Sequence, residues 1–247
     1  QESSRRRFVG DAAHELRTPI SLLTTRVEML SEGIYRADDS QWDALRRDLG
    51  RLGHLVDDLQ TLARVDAGKL VFHFEYTDLV AFVEEVCGQF RPAADGSNVN
   101  VVVTVYPSGA RPMVSVDPSR FRQVLVNVVG NAIRYSPAGG TVSIEINAHR
   151  DGSDSVCLWI EDDGPGIPFN ERERIFDRFV RLGDDRSSES GGSGLGLAIT
   201  REFVALHNGT ITAVSPRRSS RGARFEITLP REPHSSNSRT PSSPRRR

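Results

Sequence analysis

Residues 117–135 read DPSRFRQVLVNVVGNAIRY, and this stretch decides how the second half of the chain folds. Asp117 is a strong N-cap. Pro118 suits the first helical position, where its missing N–H is no loss and its fixed φ is already helical. Val124, Leu125, Val128, Val129 and Ile133 follow at helical spacing, which predicts a buried helix to about Tyr135. Asn127 and Asn131 stand at i and i+4 and so share one face. Asparagine is a poor helix former, so the pair marks either a polar surface or a site for a hard cation or phosphate, to which amide oxygens are suited.

Downstream of this helix, Val142, Ile144 and Ile146 alternate within a strand over Thr141 to Ala148. A second strand runs from Val156 to Glu161, with Asp151-Gly152 as the turn between them. A helix from about Leu195 to His207 precedes two last strands, near Gly209 to Val214 and Ala223 to Leu229. Upstream, Leu79 to Phe90 reads as a helix and Val99 to Val105 as a β-branched strand. Strands and helices in this order predict an α/β sandwich over residues 75–231.

The first part of the chain has a different texture. Phe8, Ala12, Leu16, Ile20, Leu23, Val27 and Leu30 form one helical stripe, and Trp42, Leu45, Leu49, Leu52, Val56, Leu59 and Leu62 form a second, which ends near Gly68. Two helices joined by a short loop leave apolar surface uncovered, so residues 1–68 are expected to pair with a second copy as a four-helix bundle. The fold class is thus α+β: a helical hairpin forming a dimeric four-helix bundle, followed by the sandwich.

Composition narrows the function classes. A net charge of −1 on 247 residues gives no concentrated basic face, so nucleic acid is not an expected partner. The stretch 231–247 holds five Arg against one Glu amid Ser and Pro, and residues 232–247 are expected to form a disordered basic tail. Cys87 and Cys157 lie far apart without metal-ligand neighbours and read as free thiols. No stretch is long and apolar enough to span a bilayer. The chain opens on Gln1, which suggests a cytoplasmic fragment of something longer. Membrane attachment is expected only through a missing N-terminal part.

Four segments carry candidate chemistry. In His14-Glu15-Leu16-Arg17-Thr18-Pro19, His14 and Thr18 stand one turn apart on one face with Glu15 beside them, and Pro19 disturbs the helix one turn on. Asn127 and Asn131 are the second. The third is Glu161-Asp162-Asp163-Gly164-Pro165-Gly166, where glycines permit close backbone approach and a carboxylate can accept a hydrogen bond from an exocyclic amine. The fourth, Gly191-Gly192-Ser193-Gly194-Leu195-Gly196, runs into a helix whose free N–H groups and dipole suit an anion. It lacks the Gly-Lys-Ser/Thr of a Walker loop.

Together these segments resemble the sensor histidine kinases of two-component systems, over residues from about 5 to 231. His14 to Pro19 looks like the H box, Asn127 to Tyr135 like the N box, and Asp162 to Gly166 like the first glycine box. Ile175 to Arg181 is similar to the phenylalanine box and Gly192 to Gly196 to the second glycine box, while Gly222-Ala223-Arg224-Phe225 resembles the closing strand. The resemblance implies His14 as phosphoacceptor, Glu15 as its base or orienting partner, and Thr18 as the group that orients water when a regulator is dephosphorylated. It implies ATP and Mg²⁺ as cofactors, with Asn131 on the metal and Asn127 close by. Arg134 stands where the family usually has Lys, and Tyr135 would lie against the nucleotide. Asp162 would read the adenine amine, and Gly164, Gly166, Gly192, Gly194, Leu195 and Gly196 would close on ATP. Arg181 would reach toward the γ-phosphate, and residues from about Phe169 to Gly191 would form a mobile lid. A response regulator receiver domain would take the phosphoryl group. His54, His73, His149, His207 and His234 receive no role.

Two rivals differ at identifiable residues. ATP hydrolases of the same superfamily place Glu one turn before the metal-binding Asn; here that position is Asn127, an amide that cannot serve as a base. A nucleotide-sensing dimeric scaffold would need neither His14 nor the phosphate-binding glycines, and both are present. The dimer expectation is checked by light scattering at micromolar concentration: twice the chain mass is expected, and a monomeric mass contradicts it.

Overall fold

The structure, a computed structural model, describes residues 2–148, 154–182, 192–218 and 221–231. The expected Asp151-Gly152 turn, residues 183–191 of the expected lid and the tail 232–247 lie outside the described residues. By its contacts the chain divides into two compact units, Gln1–Val71 with Pro168–Glu202, and Phe72–Ile167 with Phe203–Arg247. Segment 168–202 thus groups by its contacts with the two helices. Asp66 at the end of the hairpin takes a bidentate ion pair from Arg178, at 2.6 and 2.8 Å, and Ser193 donates to Asp58 at 3.3 Å.

In the first unit, α1 spans Glu2–Ser31 and α2 spans Asp39–Asp66. Helix α1 runs on through Pro19. Asp38 caps α2 by accepting from the Gln41 amide at 3.1 Å. Gly68 ends it with φ +60°, the left-handed C′ position that the sequence predicts. Leu23, Leu55 and Leu62 are buried. Across the hairpin, Arg26 meets Asp48 at 3.3 Å, and Asp48 is itself buried on α2. Much of the two stripes remains uncovered within one chain: Ile20, Val27, Trp42, Leu49 and Val56 are 37–53 % exposed.

The second unit is built on a sheet of five strands in the order β2-β4-β5-β7-β6. These are β2 Asn100–Tyr106, β4 Thr141–Asn147, β5 Ser155–Glu161, β6 Thr210–Val214 and β7 Arg224–Pro230. Strands β2 and β4 are parallel and every other pair is antiparallel. Alternation sorts the faces. Ile144, Ile160 and Phe225 share one cross-strand row, Ile146, Leu158 and Ile227 the next, and all are buried. Helix α5, Pro118–Tyr135, packs on β4 and β5 through Phe121, Val124, Leu125, Val128, Val129, Ala132 and Ile133. At about 1.5–3 kcal/mol for each large apolar side chain, this helix face supplies much of the unit's stability. Helix α3, Leu79–Gln89, packs against α5 and β2.

The opposite face carries paired polar side chains. Arg224 donates to Glu161 at 2.6 Å, Trp159 Nε1 donates to Glu226 at 2.7 Å, and Cys157 meets Thr228 at 3.9 Å, each pair in register across β5 and β7. Glu161 also accepts the amides of Arg217 and Arg218. Burial alone would push its carboxyl up, but the Arg218 amide, the Arg224 guanidinium and the Arg217 amide outweigh that and hold it below the usual range. Both cysteines are buried, and neither is in a disulfide.

Among the described residues, two strands and a short helix were not expected, nor were the 3-10 turns Phe169–Glu171 and Arg174–Phe176. Strand β1, Glu75–Asp78, pairs antiparallel with β3, Met113–Val116, as a separate small sheet. Helix α4, Arg91–Gly96, extends the turn after α3. Helix α6, Gly196–Leu206, agrees with the expected span to within a residue at each end.

Candidate functional site

His14 projects from α1 with its side chain 75 % exposed. Its Nδ1 stands 3.9 Å from Glu15 Oε1, close enough for charge attraction and too long for a hydrogen bond. Thr18, one turn on, is also exposed. His14 and Thr18 are thus both exposed one turn apart, and Glu15 does not hold the ring proton through a direct bond in this arrangement.

The same unit holds the later glycine run. Gly194 adopts φ +70°, and a Cβ there would come within 2.9 Å of the Phe179 backbone. The Phe179 amide donates to the Gly194 carbonyl at 3.0 Å, so the phenylalanine-box segment and the glycine run are in direct contact. Leu195 is fully buried and its amide donates to Ser193 Oγ at 3.3 Å, just before Gly196 opens α6. Gly192 is exposed. Arg181 is half-buried, and its Nη2 donates no hydrogen bond among the described residues.

In the second unit, Asn127 and Asn131 are half-buried on α5, on either side of buried Val128 and Val129. Arg134 lies 5.2 Å above the Tyr135 ring, and both are exposed at the end of the helix. Directly beneath that end is the turn after β5. Gly164 has no room for a side chain, since a Cβ would lie 2.8 Å from both the Tyr135 carbonyl oxygen and Asp162 Oδ1. Asp162 is buried, and its Oδ1 accepts the amides of Gly164 at 2.8 Å and Ala223 at 3.0 Å. Both bonds fall on one oxygen, so Oδ2 keeps its acceptor capacity. Burial raises the Asp162 carboxyl above its ordinary value; the two amides offset only part of this, and Asp163 and Glu161 add to the rise.

Three further residues shape the site: Gly222 and Asp163, which stand in the closing-strand and first glycine-box segments without an assigned role, and His207, which stands in none. Gly222 has φ +109°, and a Cβ there would fall on the Asp162 carbonyl oxygen. Its place before Ala223-Arg224-Phe225 was the one local signal. Asp163 accepts the Thr141 amide at 2.8 Å and so ties the turn to the start of β4. His207 is buried at the end of α6, where its Nε2 accepts the Asp117 amide at 2.9 Å; no local sequence signal announces it.

The family described as His Kinase A (phospho-acceptor) domain matches residues 4–68, and that described as histidine kinase-, DNA gyrase B-, and HSP90-like ATPase matches residues 116–233. Sensor histidine kinase WalK of Bacillus subtilis is 32 % identical over 232 residues, covering 93 % of this chain and 37 % of WalK. Sensor-like histidine kinase SenX3 of Mycobacterium bovis is 36 % identical over 236 residues, covering 93 % of this chain and 54 % of SenX3. The chain thus spans less than two thirds of the length of these curated relatives. Among solved structures, Acinetobacter baumannii histidine kinase AdeS matches with a TM-score of 0.73 at 30 % identity, covering 89 % of this chain and 98 % of that one.

The close packing at Gly222 generates a prediction. Gly222→Ala should lower unfolding stability by about 2–4 kcal/mol, through a disfavoured backbone conformation and a backbone clash. Gly88→Ala, on α3 with open space around it, should raise stability by about 0.5 kcal/mol. Urea denaturation of the two variants checks both.

Proposed function

This chain belongs to the sensor histidine kinases of two-component systems, and from that premise we propose that it transfers the γ-phosphoryl group of ATP to His14 and then to an aspartate of a response regulator receiver domain. The observation that carries the proposal is the exposed imidazole of His14 with Glu15 on its Nδ1 side. Glu15 favours a proton at Nδ1 and leaves the Nε2 lone pair to attack. The Nε2–P bond forms as the P–O bond to ADP breaks, and the Nδ1 proton passes to Glu15 or to water.

Asp162 suits the adenine amine, because Oδ2 remains an acceptor after Oδ1 has taken two amides. Gly164 is assigned to the nucleotide site by its place beside Asp162 and the Tyr135 end of α5, where the chain itself leaves no room for a side chain. An Asn131 amide oxygen, with phosphate oxygens and water, is a donor set that Mg²⁺ takes, and the ion would neutralise developing phosphate charge. Asn127 lies beside it in this reading, and Arg134, Tyr135, Gly166, Arg181, Gly192, Gly194, Leu195 and Gly196 complete the nucleotide contacts. Asn127 also argues against hydrolysis, since an amide cannot deprotonate water. The apolar residues uncovered on α1 and α2 support a homodimer through residues 1–68. Thr18 is assigned the orientation of water when the phosphorylated regulator is hydrolysed.

Incubation with γ-labelled ATP tests the central step. Acid-labile label is expected on the wild type and none on His14→Gln, with ATP binding retained; label persisting on the variant would overturn the assignment. A second test addresses Thr18. Thr18→Ala should label His14 normally while lowering regulator dephosphorylation by about tenfold or more, within the usual worth of a positioned proton-transfer or water-orienting group. Undiminished dephosphorylation removes the role.

A further inference from the structure

The start of α5 is held by a buried cluster that the kinase reading leaves unused. Asp117 Oδ1 accepts the amides of Ser119 and Arg120, each at 3.0 Å, and Oδ2 accepts the His73 amide at 2.9 Å. The Asp117 amide donates in turn to His207 Nε2 at 2.9 Å. His207 Nδ1 lies 2.7 Å from the Phe203 carbonyl oxygen, which can only accept. The two contacts together require the neutral imidazole with its proton on Nδ1 and a lone pair on Nε2. The rings of Phe72, Phe74 and Phe121 surround it, with centroids 5.0, 5.5 and 5.9 Å away. Burial lowers the His207 pKa, and the Phe203 carbonyl and the Asp117 carboxylate recover only part of that. The charged groups tied to the cluster are that carboxylate and Arg120, whose guanidinium lies 5.6 Å above the Phe203 ring.

We propose that His207 is a positioning residue for the nucleotide site: by accepting the Asp117 amide it sets where α5 begins, and so where Asn127 and Asn131 stand. The inference rests on the nucleotide-binding reading of α5 given above. At a rise of about 1.5 Å per residue, Asn127 and Asn131 lie about 15 and 21 Å along the axis from Asp117. A helix transmits a slip or a turn at its first residue over that distance, because its hydrogen bonds make it stiff along the axis. A phosphate and metal site responds steeply to displacements of that kind, as loss of supporting partners around metal sites shows. Asp117 alone caps the helix through its side chain. Its own amide, which lies outside the helix and points into the apolar cluster, is satisfied by His207.

The test uses the full chain and displacement of a fluorescent ATP analogue by Mg-ATP, a readout that does not involve His14. Three variants separate acceptor from bulk. His207→Phe keeps the aromatic packing and removes the acceptor. His207→Gln places an amide oxygen about where Nε2 stands, and His207→Asn is too short to reach Asp117. All three are first checked for cooperative thermal unfolding. The expected result is a Kd for Mg-ATP raised by about tenfold in His207→Phe and His207→Asn, and within about threefold of wild type in His207→Gln. Wild-type affinity in either folded acceptorless variant overturns the proposal. So does His207→Gln binding as weakly as His207→Phe or failing to fold. If His207→Phe and His207→Asn both fail to fold while His207→Gln folds, the histidine serves the fold alone and the positioning role is refuted. A wild type that binds no nucleotide would instead refute the functional reading beneath it.

Discussion

Two backbone turns, 162–166 and 222–223, pack so closely that neither Gly164, Gly166 nor Gly222 can carry a Cβ without striking a carbonyl oxygen or the Asp162 side chain. The contact is sealed by Asp162, which joins Ala223 through its own amide at 2.9 Å and through Oδ1 at 3.0 Å. Other features depend on this constraint. It holds the end of β5 against the start of β7, sets the Tyr135 end of α5 above Gly164, and keeps a carboxylate buried with one oxygen open. The polar ladder on the outer sheet face begins one residue earlier, where Glu161 is saturated by Arg224 and two amides. A buried ion pair with every acceptor position filled tolerates loss of neither partner, so it reinforces the register that the glycines impose.

The elements legible from the sequence were those whose signal is local. Asp117-Pro118 announces α5, and the alternation of Val142, Ile144 and Ile146 announces β4, because the period of the apolar residues matches the geometry of each element. Gly68 ends α2 for a reason written in its own backbone freedom. Apart from the short helix α4 and the 3-10 turns, the elements missed were those made by distant partners. Four residues of β1 carry no alternation, and become a strand because β3, some 38 residues later, supplies the ladder. The site divides along the same line. His14, Asn127, Asn131 and Asp162 sit in motifs a few residues long. The His207 role exists only because Phe72, Phe74, Asp117 and Phe121 converge on it from far along the chain. Gly222 lies between, since its sequence shows a glycine before a strand but not the carbonyl that forbids anything larger.

Helix α5 shows how stability and chemistry can share one element. Its core-facing residues are fully buried and fix its height on the sheet, while the asparagines occupy the flank that burial leaves partly open. Asparagine weakens the helix by a few tenths of a kcal/mol at each position. The apolar face offsets that many times over, so the helix can carry two poor helix formers at the positions a ligand would need. The N-terminal anchor at Asp117 serves the same division, because a helix that bears site residues must be held along its axis as well as pressed onto the sheet.

The proposal that His14 is the acceptor is supported by what each candidate group is able to do. Asn127 cannot take a proton from water. Asp162 is buried and accepts two amides on one oxygen, which fixes its carboxylate in place and leaves Oδ2 as an acceptor for a ligand donor. Glu161 is saturated by the Arg217 and Arg218 amides and Arg224. His207 has both ring nitrogens engaged within an aromatic cluster. His14 differs from all of these, since it is largely exposed, nucleophilic by chemistry, and flanked by a carboxylate on its Nδ1 side. Under the proposed function, then, the amide at Asn127 is unsuited to activate water, and the exposed imidazole on α1 is the group suited by its chemistry to accept a phosphoryl group.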